Sequence, residues 1–221
     1  MPVIRVGAGA ADELGYQLDQ LGLDGDERGL IVTDETIVDL GHAGRVADEL
    51  AADGFDVDVY DGADREPSIE AVEECIAFVR EEMGEDGYDF YLGLGGGSCM
   101  DIAKAMRAVV ANGGEVLDYV AAPTGAGEAL TESGPPLDLL LTTAGTGRNR
   151  IARRDPRSAR KNIKEGISSP HVRADAAVLD PTTTTLPPDL TAKTAMDALG
   201  HAIEGVHHPL LRRLAPTRKP D

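Results

Sequence analysis

An α/β fold built on a parallel sheet is the architecture this sequence predicts, and three observations predict it. Short runs of strand length alternate along the chain with segments whose apolar residues recur at helical spacing. Two of those runs, Leu30–Val32 and Tyr88–Leu94, are largely apolar, the composition of central strands covered on both faces. The second of them runs straight into Gly95-Gly-Gly-Ser98 and then into a helical pattern, a strand–turn–helix unit. With 221 residues the chain can hold one good-sized domain, or one domain and part of a second.

Taken in order, Val3–Val6 reads as a short first strand, and Ala10–Leu21 as a helix with Leu14, Leu18 and Leu21 on one face. After the loop 22–29, Leu30–Asp34 is a buried strand ending in a carboxylate. Val38–Asp53 reads as an amphipathic helix through Val46 and Leu50, and Phe55–Tyr60 as the next strand. The loop 61–68 ends in Ser68, which opens a helix to about Met83. Ser98 is a natural N-cap for the helix 98–111, with Asp101 three residues on in a near capping box; Asn112-Gly-Gly114 closes that helix. Residues 116–127 read as a long connection, Leu137–Leu141 as a buried strand, and Thr142-Thr-Ala-Gly-Thr-Gly147 as a second strand-end turn. Residues 182–188 lead to a last helix, capped by Asp189 or Thr191, with Ala195–Glu204 as its body.

Composition narrows the function. A net charge of −18 repels polyanions and so excludes nucleic acid and anionic membranes as partners. No apolar run approaches the roughly 20 residues that span a bilayer, and the first residues lack a signal-peptide layout, so a cytoplasmic protein is expected. Cys75 and Cys99 are far apart and without metal-ligand spacing, which predicts two reduced thiols. Acidic residues spread over predicted helix surfaces, with five lysines among 21 basic residues, suggest a surface adapted to a high-salt, halophilic cytoplasm.

The chemistry concentrates at three places. Gly95, Gly96 and Gly97 remove side chains from the first turn, so a ligand can approach backbone N–H groups at the positive end of a helix, a site for pyrophosphate. The same triplet also suits a merely tight connection. Thr142, Thr143 and Thr146 offer hydroxyls that bond phosphate, ribose or amide groups without adding charge. Asp34 suits either a ribose contact that disfavours a 2′-phosphate or the cap of the next helix. Lys104, three residues after Asp101, suits a surface ion pair. Asp197 and His201, four apart, project from one helix face and suit either a divalent metal or an ordinary polar surface.

The word Gly95-Gly-Gly-Ser-Cys-Met-Asp-Ile-Ala-Lys104 resembles the dinucleotide-binding signature of the iron-containing (group III) alcohol dehydrogenases. Thr142–Gly147 is similar to that family's second cofactor segment, and Asp197-Ala-Leu-Gly-His-Ala-Ile-Glu204 to the word that supplies two of its four metal ligands. Leu117-Asp-Tyr-Val-Ala-Ala-Pro123 most resembles the hydroxyacid-oxoacid transhydrogenase branch. The resemblance implies a Rossmann-like parallel-sheet nucleotide-binding domain over 1–181, followed at 182–221 by the start of an all-helical domain that is cut short. It implies NAD as cofactor, bound through Asp34, Gly95, Gly96, Gly97, Ser98, Asp101, Thr142, Thr143, Thr146 and Lys164, with Asp34 tipping the choice away from NADP. It further implies Fe2+ (or Zn2+) on Asp197 and His201 with an incomplete ligand set, an alcohol or hydroxyacid substrate, and a homodimer in the full-length form.

Two segments leave the family pattern. Residues 148–161 and 206–221 together hold eleven of the 21 basic residues but two of the 39 acidic ones. A basic anion-binding arm is one reading; a shifted reading frame in a GC-rich gene is the reading preferred here. On that basis the expected function is an NAD- and metal-dependent alcohol dehydrogenase impaired by truncation, with a non-catalytic nucleotide-binding remnant or a transhydrogenase as alternatives.

Overall fold

The protein is described by a computed structural model covering residues 3–63, 67–143, 151–154, 162–184 and 187–207. Six strands form one sheet: β1 (Val3–Val6), β2 (Arg28–Val32), β3 (Asp56–Tyr60), β4 (Phe90–Gly95), β5 (Leu137–Leu141) and, much later in the chain, β8 (Ala176–Leu179). Their order is β1-β8-β5-β4-β2-β3, and every pairing is parallel. The α/β parallel-sheet expectation is met, with the apolar Leu30–Val32 and Phe90–Leu94 runs at its centre.

The side-chain alternation of the strands divides the core into two layers. On one face Leu30, Val32, Tyr91, Leu137 and Leu139 meet α4 (Ile69–Met83), α5 (Gly97–Asn112) and α6 (Val116–Tyr119). On the other, Ile31, Phe90, Leu92, Leu94, Leu140 and Val178 meet α1 (Leu14–Gln20), α2 (Glu35–Asp39) and α3 (His42–Ala52). Gly93 is what lets α5 lie so close: a Cβ there would come 3.2 Å from Ala103 Cβ, 3.3 Å from Met100 Cα and 2.9 Å from Leu139 Cδ2.

Several boundaries differ from the pattern in the sequence, for local reasons. The expected helix 10–21 opens with a 3-10 turn at Ala10–Glu13, leaving seven residues for α1. The helix expected at 38–53 begins earlier, at Glu35, and breaks at Gly41, where φ is 77°. Ser68 caps α4 as read, accepting from Ala71 N at 3.1 Å. Within the connection after α5, Asp118 Oδ2 accepts from Glu115 N at 2.8 Å and closes a capping box on α6. The last helix, α7 (Pro188–His207), starts before both expected caps, with proline at its first position, where the missing N–H costs nothing.

Three strands are absent from the sequence reading: β8, which lies between β1 and β5, and a separate pair. β6 (Ile151–Arg154) pairs antiparallel with β7 (Asn162–Glu165), so residues 151–154 of the basic segment 148–161 lie in a ladder; 148–150 and 155–161 lie outside the described residues. Among the described residues no helix is long and apolar enough to cross a membrane.

Arg107 holds the far end of the fold together. Its side chain is fully buried; Nη1 donates to Asp175 (2.9 Å) and Pro135 O (3.0 Å), and Nη2 to Arg173 O (2.7 Å) and His171 O (3.1 Å). Asp180 does the same at the end of β8: its carboxylate accepts from Gly9 N, Ala11 N, Thr182 N and the Thr182 hydroxyl. Burial alone would raise that carboxyl, but these bonds outweigh it and hold it below the ordinary value.

Candidate dinucleotide site

The chain leaves β2 and β4 toward opposite faces of the sheet. From β2 it goes to α2 and α3; from its neighbour β4 it goes to α5. Loops that diverge this way open a crevice beyond the carboxyl ends of the two strands.

The glycine turn forms one wall of that crevice. Gly95 ends β4 with φ at 143°, a backbone open to glycine and strained for other residues. Gly96 is extended and serves as the N-cap of α5, which begins at Gly97 without any side-chain cap bond. Ser98 is therefore not the N-cap the sequence suggested: the strand hands the chain to the helix two residues earlier, and Ser98 already lies within the first turn. Asp101 does not close a capping box either. It lies 7 % exposed, with Oδ1 3.6 Å from Lys104 Nζ, so the expected surface ion pair is an interior one. Burial lowers the Lys104 ammonium, and the Asp101 carboxylate opposes that shift. The consequence for binding is an α5 whose glycine N-cap makes no side-chain cap bond, and a Cβ on the exposed Gly97 would meet nothing within 4 Å.

Thr142 and Thr143, the described part of the threonine segment, stand beside it. Thr142 N donates to Gly95 O at 3.0 Å, which locks the two strand ends in register. A Cβ on Gly96 would come 3.5 Å from Thr143 Cγ2 and 3.8 Å from its Oγ1, so that hydroxyl lies alongside the glycine backbone. Thr142 is buried at 3 % exposure and Thr143 is half-buried. Thr146 lies outside the described residues. Lys164 pairs with Ala152 in the β6–β7 ladder, and its side chain is outside the described set.

Asp34 closes the crevice on the β2 side. It is the N-cap of α2, with Oδ1 accepting from Ile37 N at 3.0 Å, and it is half-buried. Its other oxygen, Oδ2, lies 3.4 Å from Cys99 Sγ on α5. Burial, the Asp34 charge and that bond push the Cys99 thiol up to about 12, so it remains an S–H donor. The structure thus brings Asp34, Gly95, Gly96, Gly97, Ser98, Thr142 and Thr143 to one crevice. It also brings in Cys99, which no sequence signal ties to a residue 65 positions away.

Residues 2–181 match the family described as iron-containing alcohol dehydrogenase.

The chain belongs to the iron-containing alcohol dehydrogenase family.

Its curated relatives include long-chain-alcohol dehydrogenase 1 of Geobacillus thermodenitrificans, 34% identical over 204 residues, covering 92% of this chain and 49% of the relative. Mouse mitochondrial hydroxyacid-oxoacid transhydrogenase is 32% identical over 203 residues, covering 91% and 42%. The sulfoacetaldehyde reductase of Bifidobacterium kashiwanohense, solved in complex with NAD+, superposes with a TM-score of 0.78 at 30% identity, covering 92% of this chain and 51% of that one. The chain therefore spans about half the length of the iron-containing alcohol dehydrogenases it matches.

The family's metal word fares differently. Asp197 and His201 do share a face of α7, with Asp197 Oδ1 3.9 Å from His201 Nε2. The other ring nitrogen, Nδ1, lies 3.5 Å from Glu204 Oε2, so the imidazole stands between the two carboxylates. Among the described residues no group of three or more His, Cys, Asp or Glu side chains is placed to hold a metal ion.

One further titratable group escaped the sequence reading. Asp138 sits in the middle of β5 at 1 % exposure, and neither carboxyl oxygen finds a hydrogen-bond partner among the described residues. With Leu14, Leu18, Leu50, Phe90, Tyr91 and Leu92 it lines a small cavity on the α1–α3 face. Burial, reinforced by Asp175, raises its carboxyl to about 7. A lone acid within Leu137-Asp-Leu-Leu-Leu141 was the available signal.

Proposed function

We propose that this chain is the nucleotide-binding half of an NAD-dependent, metal-dependent alcohol dehydrogenase, in which hydride passes between an alcohol or hydroxyacid and the nicotinamide ring. The observation that carries this reading is the glycine start of α5, with no side-chain cap bond, tied through Gly95 O to Thr142 N at the end of β5. The residues suit NAD: N–H groups of the first turn of α5 face a pyrophosphate, assisted by the helix dipole. The Thr143 hydroxyl, beside Gly96, adds a neutral donor. Asp34 accepts from ribose hydroxyls and repels a 2′-phosphate, the basis for NAD over NADP. Ser98, Asp101, Thr142, Thr146 and Lys164 complete the proposed cofactor set.

In this reading residues 1–181 are the dinucleotide domain and 182–221 open a helical domain. NAD supplies the hydride acceptor; what the described residues contribute is anchoring and orientation. Asp197 and His201 are the proposed donors to Fe2+ or Zn2+. As placed they do not form a metal site by themselves, and no step is drawn through one. The proposed setting is a salt-rich cytoplasm, for which the acidic surface is the support, and a homodimer is the proposed full-length assembly.

The test is titration with NADH followed by its fluorescence. Saturable binding is expected, weakened about tenfold or more by Gly97→Asp, which places a carboxylate against the anion without steric conflict. A folded chain that binds no NADH, or a Gly97→Asp variant that binds as well as the parent, overturns the reading.

Two narrower readings are testable. For a nucleotide binder without catalysis, calorimetry with Fe2+ and Zn2+ shows no uptake; metal uptake supports the dehydrogenase. The likeness to the transhydrogenase supports hydride return to an oxoacid from the same bound cofactor, which would appear as oxoacid-dependent turnover without free NAD.

A further inference from the structure

A side-chain contact crosses the crevice from one face of the sheet to the other. Cys99, in the first turn of α5, places Sγ 3.4 Å from Asp34 Oδ2, while Oδ1 of the same carboxylate accepts from Ile37 N. Two donors on two oxygens fix both torsions of the side chain, and each oxygen keeps a lone pair for another partner. Cys99 is 1 % exposed and Asp34 half-buried, so the thiol stands behind the carboxylate and leaves its outer edge open. Gly95 makes room for this arrangement, since a Cβ there would come 2.7 Å from Sγ. A second observation marks the same strand end as incomplete: Thr33, next to Asp34, is fully buried, and its hydroxyl has no partner among the described residues.

Resting on the cofactor reading above, we infer that Cys99 is a positioning residue for cofactor choice: its S–H holds Asp34 in the rotamer that accepts ribose hydroxyls and rejects a 2′-phosphate. A carboxylate tied only at Oδ1 turns about its outer torsion and meets the ribose in several poses. Affinity for NADH then falls, while a 2′-phosphate meets a charge that can swing away from it. The contact also joins the turn that faces pyrophosphate to the residue that faces ribose, so the two recognition elements move as one body.

The experiment measures NADH and NADPH dissociation constants by fluorescence for the parent, Cys99→Ala, Cys99→Ser, Asp34→Asn and the Asp34→Asn/Cys99→Ala pair. Expected is a preference for NADH in the parent, reduced about three- to tenfold by Cys99→Ala, mainly through weaker NADH binding. Cys99→Ser, which keeps a donor, holds the preference within about twofold. In the Asp34→Asn background, Cys99→Ala adds no further change, because the thiol acts through the carboxylate. Should the alanine variant not fold, Cys99→Val removes the donor while filling the space. Equal weakening of both dinucleotides, or an unchanged preference in folded donor-less variants, overturns the inference and leaves NAD binding standing. A folded parent that binds neither dinucleotide overturns both.

Discussion

Helices α5 and α7 each carry a word of the same family, yet the fold treats them in opposite ways. In α5 the residues Cys99–Val109 are all buried, and the helix seats on β4 through Gly93. On α7 the large apolar residues are exposed: Met196 at 65 %, Leu199 at 51 %, Ile203 at 51 % and Val206 at 72 %. They follow one another at spacings of three, four and three, a continuous stripe. The difference teaches what turns a motif into a site. At α5 a packed core fixes the backbone, so its N–H groups are aimed before any ligand arrives. At α7 the donors Asp197 and His201 stand 63 % and 33 % exposed, free to settle on each other and on Glu204.

Substitutions can break that contrast or sharpen it. The largest effect is expected at the turn. Gly95→Val adds strain at φ 143° and a collision with Cys99 Sγ, together about 4 kcal/mol, read as a drop in the urea midpoint with loss of NADH binding. Slightly smaller is the cost of Ile102→Ala, about 3 kcal/mol by the same measurement, because it opens a cavity where α5 meets the sheet. If either variant unfolds at the parental midpoint, α5 is not the anchored helix described here.

Next comes pH. The Asp138 carboxyl titrates near 7 in the folded chain against 3.8 unfolded, so the folded state binds the extra proton. Its contribution is complete below about pH 4 and is lost as pH rises through 7, by roughly 2 kcal/mol once coupling to Asp175 is discounted. Asp138→Asn should flatten that decline in stability between about pH 4 and 7; a parent whose midpoint does not fall over this range removes the buried acid from the account.

Asp180 has the opposite sign. Its folded value lies below the unfolded one, so its stabilisation is present above about pH 4 and is lost as pH falls through the folded value. Asp180→Ala should cost about 1–2 kcal/mol at neutral pH and blunt acid unfolding, seen by circular dichroism. The smallest effect belongs to α7. Leu199→Ala in this chain should shift stability by no more than about 0.5 kcal/mol, because a half-exposed side chain has little burial to lose. A shift like that of Ile102→Ala would place α7 in the core and end the contrast.

Much of the sheet could be read along the chain, since Leu30–Val32, Phe90–Leu94 and Leu137–Leu141 carry the apolar content that central strands need. The glycine turn was readable because few residue types tolerate a backbone such as that of Gly95; of the threonine segment, Thr142 and Thr143 lie within the described residues. Helix ends were less readable. Ser98 had the chemistry of a cap, but the emergence of α5 from β4 at Gly95 and Gly96 set the start of the helix. The β6–β7 pair left no alternation to find, because Ile151-Ala-Arg-Arg154 and Asn162-Ile-Lys-Glu165 are each four residues long and mix apolar with charged residues. Arg107 and Asp138, both charged, could be assigned to the interior only once their strands and helices had neighbours.

By itself the sequence determined the alternation of strand and helix, the side-chain-free turn after β4 and the words that mark the family. These are local quantities, set by backbone sterics and by the periods of apolar residues. Tertiary structure alone decided that β2 and β4 are neighbours whose chains diverge to opposite faces, and hence that Asp34 meets Cys99 across a crevice. It also decided that the Asp101–Lys104 pair is interior and that the Asp197–His201 pair is not. The reason is physical: burial and donor geometry depend on what packs against a residue from far along the chain, and no local pattern contains that partner.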